Sequence, residues 1–287
     1  VQDVKLDKEI VVVDDGSGDR TAEIGWTIYD TLQRRPIRSQ SNSGCGAARN
    51  VGLRATSAPY LCRLDADDYY LPQYLQRFAE FIQAHPGFDI YSCNGLRLTP
   101  DGEKTELFVD AHHQIVTSFE LDEVLLRNSI FGITVLTRDI FDRVGGFPEH
   151  LHTEDYGFWL KALADGARHI HMPETLAVYR VSPEQMTSDP FTQVRESRRA
   201  VAEVCDMLEA EERHLDTCAD ARRLWDSRLE FLCYRSLLRS GSRTGLLEAY
   251  RGAKRSCLEG EPAWRYFARG LFLRLGGSVL LARRANR

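Results

Sequence analysis

The stretch Tyr60–Asp68, with the sequence YLCRLDADD, decides the fold prediction for this chain. Its apolar start predicts a buried strand, and Asp65, Asp67 and Asp68 follow that strand directly. Carboxylates this close together repel one another unless they are solvated, protonated or bound to a cation. Oxygen ligands suit Mg²⁺ and Mn²⁺, and Mg²⁺ is commonly held by one or two carboxylates together with substrate phosphates. The stretch therefore predicts a strand end that binds a divalent cation and a phosphate group; the alternative is an acidic helix N-terminus.

Strands and helices alternate on the N-terminal side of this stretch. Lys8–Val13 (KEIVVV) is a continuous β-branched run, which predicts a strand covered on both faces. Predicted helices follow at residues 20–32 and 44–55, with a short predicted strand at 37–39 between them. This alternation is typical of α/β folds, whose ligands bind outside the carboxyl ends of the strands.

A polar turn comes directly after the first predicted strand. Asp14 and Asp15 carry carboxylates that can accept hydrogen bonds from a nucleobase or a ribose hydroxyl. The small residues Gly16 and Ser17 allow the backbone to approach a ligand closely. The alternative is a plain strand-to-helix turn in which Ser17 or Asp19 is the helix N-cap.

A second acidic pair opens a predicted helix much later in the chain. Thr153 is followed by Glu154 and Asp155 and then by a run rich in aromatic residues. A carboxylate in this place can act as a general base on a hydroxyl group. The alternative is a capping pattern, with Thr153 as N-cap and the acids in the first helical turn.

The sequence changes in character close to Pro190. We expect an α/β domain over residues 1–188 and a helical region over residues 189–287. Apolar residues recur three and four positions apart in the second region, which predicts helices at 193–212, 220–239, 244–257 and 264–284.

Charge is distributed unevenly along the chain. The net charge of −5 over 287 residues argues against a nucleic-acid-binding protein, but residues 231–287 contain 12 Lys and Arg against 3 Asp and Glu. This basic tail either packs its apolar face on the rest of the protein or makes a peripheral contact with an anionic membrane surface. The 7 cysteines include no C-x-x-C pair, which indicates a reducing compartment. We therefore expect a cytoplasmic protein, which is peripheral at the inner face of the cell membrane if the second of these alternatives holds.

Five segments of the chain together resemble the motifs of the family 2 glycosyltransferases, which have the GT-A fold. The resemblance runs from about Lys8 to Ser188, and it is specific because all five motifs occur in order at compatible spacings. The motifs are Glu9–Thr21 (EIVVVDDGSGDRT), Asn42–Gly52 (NSGCGAARNVG), Pro59–Asp68 (PYLCRLDADD), Val144–Asp155 (VGGFPEHLHTED) and Tyr179–Ser188 (YRVSPEQMTS). The resemblance implies a Rossmann-like mixed sheet flanked by helices, to which the helical region is an extension.

The resemblance also implies a role for each matching residue. Asp155 would be the general base that deprotonates the acceptor hydroxyl, with Glu154 supporting it. Asp67, together with Asp65, would ligate Mg²⁺ or Mn²⁺. The nucleotide-sugar would be bound by Asp14, Asp15, Gly16, Ser17, Arg49, Asp65 and Arg180. Family members begin with a further strand, helix and P-x-Y-N-like turn, which nothing here matches, so we expect an N-terminally truncated catalytic domain.

The expected function is that of an inverting, metal-dependent hexosyltransferase. It would move a sugar from a nucleotide-diphosphate sugar, with UDP as the default, to a glycan or lipid-linked acceptor in polysaccharide or glycoconjugate biosynthesis of the cell envelope. A sugar-1-phosphate nucleotidyltransferase is one alternative, although its Gly-rich phosphate loop is not visible in the sequence. Another is an incomplete GT-A domain that acts only as a binding module, which predicts no metal-dependent nucleotide binding.

Overall fold

The computed structural model describes residues 7–21, 23–24, 38–39, 41–107, 111–182, 185 and 189–240. It divides the chain into two compact units, Val1–Ser188 and Asp189–Arg287. The first unit contains a mixed sheet with helices around it, and the described part of the second unit consists of two helices. The predicted mixed sheet flanked by helices, followed by a helical region, is confirmed.

The elements are numbered in chain order. The strands are β1 (Val13–Asp14), β2 (Arg38–Ser39), β3 (Tyr60–Cys62), β4 (Tyr69–Tyr70), β5 (Ile90–Leu98), β6 (Lys104–Glu106), β7 (Thr134–Thr137) and β8 (His169–Arg180). The helices are α1 (Cys45–Arg54), α2 (Tyr74–Ala84), α3 (Leu121–Leu126), α4 (Arg138–Arg143), α5 (Glu154–Ala164), α6 (Pro190–Ala210) and α7 (Leu215–Ser240), with a 3₁₀ turn at Ala111–Gln114.

The main sheet has the strand order β3-β7-β5-β8-β4, and β6 pairs with β5. The long central strands β5 and β8 are parallel, whereas the pairs β3–β7, β5–β7, β4–β8 and β5–β6 are antiparallel. These pairings make β3, β5 and β8 run in the same direction. The carboxyl ends of β3 and β8 therefore lie at the same edge of the sheet, and this edge carries the candidate site.

Apolar side chains from the sheet and from α2 form the core of the first unit. The buried cluster includes Tyr74 and Phe78 of α2, Tyr91 of β5, Val135 of β7 and Ile170 of β8. Helix α5 is buried along nearly its whole length, because its aromatic residues pack into the domain. Burial of this kind holds both ends of α5 firmly, including the end at which the acidic pair lies.

The strand predicted at Lys8–Val13 is much shorter than expected. Only Val13 and Asp14 form β1, which pairs in parallel with β2, a strand that the sequence predicts correctly. Ile10 and Val12 are 37% and 44% exposed, so the β-branched run is not covered on both faces among the described residues. The prediction failed because a β-branched run indicates only a preference for extended backbone, whereas the length of a strand depends on the partner strand with which it pairs.

Two other expectations also need correction. The sequence predicts two short strands, near residues 169–172 and 176–181, but the segment from His169 is a single long strand, β8, because it pairs with β5 from Ile90 to Leu98 through a bulge. The alternative of an acidic helix N-terminus after β3 is wrong, since Asp65–Asp68 lead into strand β4.

In the second unit, α6 and α7 pack against each other. Asp189 caps α6 by accepting hydrogen bonds from the backbone N–H groups of Phe191 and Thr192, and Pro190 occupies the first helical turn. Buried apolar residues that include Val204 and Leu208 line α6. Both helices occur where the sequence predicts them.

Several predictions lie outside the described residues. They are most of the helix at 20–32, the helices at 244–257 and 264–284, and the end of the last motif at Thr187 and Ser188. Among the helices that the structure does describe, none combines the length and the apolar content needed to cross a membrane.

Candidate functional site

Arg49 connects the end of β3 to the start of α5. Its side chain, on α1, is only 11% exposed, and its Nη2 lies 2.8–2.9 Å from both carboxylate oxygens of Asp65. Its Nη1 contacts the carboxylate of Glu154, which is 6% exposed. Three of the residues predicted for the site are thus joined through one guanidinium, although they come from three separate motifs.

Asp65 is held as an anion by two guanidinium groups. Its oxygens lie 3.3–3.4 Å from Nη1 of Arg63 as well as within hydrogen-bonding distance of Arg49. Burial acts to raise the pKa of Asp65, but the charges of Arg63 and Arg49 outweigh that effect, and the pKa is lowered. The Asp65 carboxylate is therefore an ionised acceptor whose position is set by both arginines.

Arg63 is a site residue that the sequence analysis missed. Its side chain is 8% exposed, and its Nη2 lies 3.5 Å from Oδ2 of Asp155. Burial lowers the pKa of Arg63, and the nearby charge of Arg49 acts in the same direction. A signal for Arg63 was present in its position, two residues before Asp65, which was already a candidate.

The start of α5 carries Glu154 and Asp155 in its first turn, where the helix dipole favours negative charge. Thr153 occupies the N-cap position, but its side chain makes no capping hydrogen bond. The alternative in which the Thr153 side chain caps the helix is therefore wrong. Glu154 pairs with Arg49 instead, while the Asp155 side chain is 27% exposed.

Asn50 attaches α1 to the loop that precedes α5. Its Nδ2 donates to the carbonyl oxygen of Phe147 at 2.9 Å and to Oε1 of Glu149 at 2.8 Å, and its Oδ1 accepts from the N–H of Phe147 at 2.8 Å. The ring of Phe147 also lies 5.5 Å from the guanidinium carbon of Arg63 and 5.9 Å from that of Arg49. The motif from Val144 to Asp155 thus supports both arginines.

Asp67, Asp68 and Arg180 form a second group at the same sheet edge. The buried Asp68 carboxylate accepts a hydrogen bond from the backbone N–H of Arg180 at 2.9 Å. Burial raises the pKa of Asp68 to about 6. The Arg180 side chain contacts the carbonyl oxygen of Asp67, and its guanidinium carbon lies 5.9 Å from the centre of the Tyr69 ring. Arg180 is thus brought to the acidic turn rather than into contact with Arg49.

Asp14 and Asp15 hold the backbone of two turns. Oδ1 of Asp14 accepts from the N–H of Ser17 at 3.1 Å, while the Asp15 oxygens accept from Ser43 and Gly44 at 2.9 Å each. Asp15 therefore orders the loop that leads into α1, and hence to Arg49. The predicted contact of these aspartates with a nucleoside remains a prediction.

Asp67 fits a divalent cation better than Asp65 does. Its side chain is exposed and accepts a hydrogen bond from Gln185 at 3.2 Å, so it can exchange that partner for a cation. Both oxygens of Asp65 are already engaged by Arg49. Nowhere in the described part of the chain do three His, Cys, Asp or Glu side chains form a metal-binding group. A cation at Asp67 would thus take its other ligands from phosphate and water, which is usual for Mg²⁺.

Comparisons with known proteins show what the chain is similar to. Residues 2–134 match the family model described as glycosyl transferase family 2. The glycosyltransferase RT0329 of Rickettsia typhi is 30% identical over 193 residues, which is 66% of this chain and 59% of that protein. The amylovoran biosynthesis glycosyltransferase AmsE of Erwinia amylovora is 23% identical over 180 residues, which is 62% of this chain and 66% of that protein.

A solved structure shares the fold. The structure of S. aureus TarS 1–349 in complex with UDP-GlcNAc has a TM-score of 0.56 at 19% identity, and the match covers 85% of this chain and 80% of that one. The chain spans less than two-thirds of the length of the Rickettsia protein, at 59%. The family model over residues 2–134, the glycosyltransferase relatives and the GT-A-like fold together support a family 2 glycosyltransferase.

Proposed function

We propose that the chain transfers a sugar from a nucleotide-diphosphate sugar, with UDP as the favoured nucleotide, to a hydroxyl group of a glycan or lipid-linked acceptor. One observation carries the proposal: Arg49 joins Asp65, at the end of β3, to Glu154, beside Asp155. This contact brings the donor-side carboxylate and the candidate base to one place. The UDP-GlcNAc bound in the TarS structure supports the donor class, and the role of AmsE in amylovoran biosynthesis supports a glycan product.

Asp155 is the proposed general base. Its carboxylate is partly exposed, so an acceptor hydroxyl can reach it, and it lies in the first turn of a firmly buried helix. The acceptor oxygen bonds to the anomeric carbon as the bond from that carbon to the diphosphate oxygen breaks. The hydroxyl proton passes to Asp155, and the nucleoside diphosphate leaves. A single in-line displacement of this kind inverts the anomeric configuration.

The remaining residues bind the donor and stabilise its charge. Arg49 and Arg180 face the diphosphate, Asp65 faces the ribose and diphosphate, and Asp14 and Asp15 face the nucleoside through the turn at Gly16 and Ser17. Asp67 would hold Mg²⁺ or Mn²⁺, which when bound neutralises charge on the leaving diphosphate. Glu154 contributes by holding Arg49, with which it forms a buried ion pair. Positioned cations act strongly here because they need no reorganisation during the reaction.

The first experiment is a thermal-shift titration of the whole chain with UDP, GDP and dTDP, each with and without Mn²⁺. We expect UDP to stabilise the chain only when Mn²⁺ is present. This stabilisation should be lost in Asp67→Ala. It should be retained in the control Asp142→Ala, which changes an exposed aspartate on α4. Ligand present at one hundred times its Kd should raise the free energy of unfolding by about 2.7 kcal/mol. Stabilisation by GDP or dTDP alone would correct the nucleotide, and no stabilisation by any of the three would contradict the proposal.

Product analysis tests the reaction itself. Incubation with a UDP-sugar and Mn²⁺ should release UDP, and Asp155→Asn should lower the rate strongly without weakening UDP binding. Release of pyrophosphate in the presence of UTP and a sugar 1-phosphate would instead identify a nucleotidyltransferase.

A further inference from the structure

Arg63 reaches both carboxylates between which the reaction is proposed to occur. It follows β3 by one residue, and its Nη1 lies 3.3–3.4 Å from the oxygens of Asp65. Its Nη2 lies 3.5 Å from Oδ2 of Asp155. One guanidinium thus stands between the donor-side carboxylate and the proposed base, which belong to different motifs.

The hydrogen bonds of Arg63 are incomplete for a buried guanidinium. Its side chain is 8% exposed, yet Nε and Nη2 have no hydrogen-bond partner among the described residues. Its contacts with Asp65 are also longer than the 2.8–2.9 Å contacts that Arg49 makes with the same carboxylate. Buried N–H groups without partners are unfavourable, and an apolar side chain of similar volume would often be at least as stable. Stability therefore does not explain an arginine at this position.

The backbone at Gly132 makes room for the approach of Arg63 to Asp155. A Cβ atom built on Gly132 would lie 2.7 Å from Nη2 of Arg63 and 3.1 Å from Oδ2 of Asp155. Any side chain at this position would displace one group or both. The contact between the guanidinium and the base thus depends on a glycine that belongs to neither motif.

We propose that Arg63 is a positioning residue that holds the carboxylate of Asp155 at a set distance from Asp65. The inference rests on the proposed function, in which Asp65 faces the donor and Asp155 takes the proton of the acceptor. Because Arg63 contacts both carboxylates, it keeps the base aligned with the anomeric carbon of the donor. A misplacement of about 1 Å can lower a rate about 10²-fold.

The test uses Arg63→Met, which keeps an unbranched, flexible side chain and removes the guanidinium and its charge. The assay is UDP release by the whole chain with Mn²⁺, from whichever of UDP-glucose, UDP-galactose and UDP-GlcNAc the wild type hydrolyses fastest. We expect kcat to fall about 10²-fold. KM for the donor and the thermal midpoint should stay close to the wild-type values, because Arg49 still holds both oxygens of Asp65 at 2.8–2.9 Å. Arg63→Lys should recover part of kcat. Arg143→Met, which removes an exposed ion-paired arginine on α4, should leave both constants unchanged.

A double-mutant cycle separates positioning from a general structural role. If Arg63 acts through Asp155, adding Arg63→Met to Asp155→Asn should lower kcat no further. Additive losses, or a wild-type kcat in Arg63→Met, would overturn the inference. If Arg63→Met does not fold, the same cycle is measured with Arg63→Lys. Its kcat is then compared alone and together with Asp155→Asn, and the same outcomes support or overturn the inference. A wild type that releases no UDP contradicts the proposed function and the inference together, whereas an active wild type with a rate indifferent to residue 63 contradicts the inference alone.

Discussion

Asn50 and Phe147 exchange two hydrogen bonds across 97 positions of sequence: Asn50 Nδ2 donates to the carbonyl oxygen of Phe147 at 2.9 Å, and Phe147 N–H donates to Asn50 Oδ1 at 2.8 Å. Asn50 is 1% exposed, so this exchange takes place away from solvent. It fixes α1, which carries Arg49, to the loop that leads into α5, which carries Asp155. The geometry of the candidate site therefore depends on an amide that has no proposed part in the chemistry.

Removal of this amide should destabilise the protein. We expect Asn50→Ala to lower the free energy of unfolding by about 1–3 kcal/mol, because the backbone N–H and C=O of Phe147 lose their partner inside the protein. Urea denaturation followed by circular dichroism measures the change. Gln76→Ala removes an exposed side-chain amide that bonds to Glu80 and should change the free energy much less. Equal effects of the two substitutions would contradict this account of Asn50.

Two adjacent glycines provide a matched comparison in the same loop. Gly145 and Gly146 have φ values of +83° and +90°. An alanine held in this left-handed backbone conformation destabilises the protein by about 1–2 kcal/mol at either position. A Cβ on Gly146 would in addition lie 2.5 Å from Oδ1 of Asn50, whereas a Cβ on Gly145 meets nothing within 4 Å. The free energy of unfolding of Gly146→Ala should therefore be about 1–3 kcal/mol lower than that of Gly145→Ala, which is the usual cost of overpacking. Similar unfolding free energies for the two variants would show that the Asn50 contact adjusts freely.

Gly132→Ala should impair the reaction more than the fold. The added methyl group would displace Arg63 or Asp155, so we expect a lower kcat for UDP release with a nearly unchanged thermal midpoint. Gly18→Ala is the control, since a Cβ there meets nothing within 4 Å and its backbone is not left-handed. A wild-type kcat in Gly132→Ala would mean that the distance between the guanidinium and the base is not critical.

A buried histidine group predicts loss of stability in mild acid. His169 and His171 both contact Oγ of Ser92, at 2.8 and 2.9 Å, and the ring of His113 lies 5.1 Å from that of His171. Burial, followed by the positive charges that His171 and His113 would carry, holds the pKa of His169 well below its ordinary value of 6.5. The unfolded chain therefore binds a proton below about pH 6.5 that the folded chain does not bind until a lower pH.

The sign follows from this difference in bound protons. Stability is full above pH 6.5 and falls as the pH decreases toward the lowered pKa of His169, by up to about 1.4 kcal/mol per pH unit for one proton. Denaturation curves between pH 7.5 and 5 measure this slope, which His169→Gln should reduce. His152→Gln, at an exposed loop position, should not reduce it. A slope that is the same in His169→Gln would show that other groups dominate the acid response.

The sequence predicted most helices because their signals are local. Apolar spacing and flanking turns place α1, α6 and α7 within a few residues of their observed ends, and the acidic pair after Thr153 places the start of α5. Strands were less predictable, since the length of a strand depends on partners that are distant in sequence. The short β1 and the uninterrupted β8 both differ from expectation for this reason.

For the site, the sequence alone determined which acidic residues end a strand or begin a helix. Asp65 and Asp67 follow β3, and Glu154 and Asp155 open α5, because strand ends and helix starts are set by nearby residues. Only the tertiary structure decided how these groups pair. Arg49 joins Asp65 to Glu154 and Arg63 approaches Asp155 because packing of α1 and α5 brings distant motifs within a few ångströms. Ionic contacts fall off steeply with distance and depend on burial, and both quantities are properties of the folded chain.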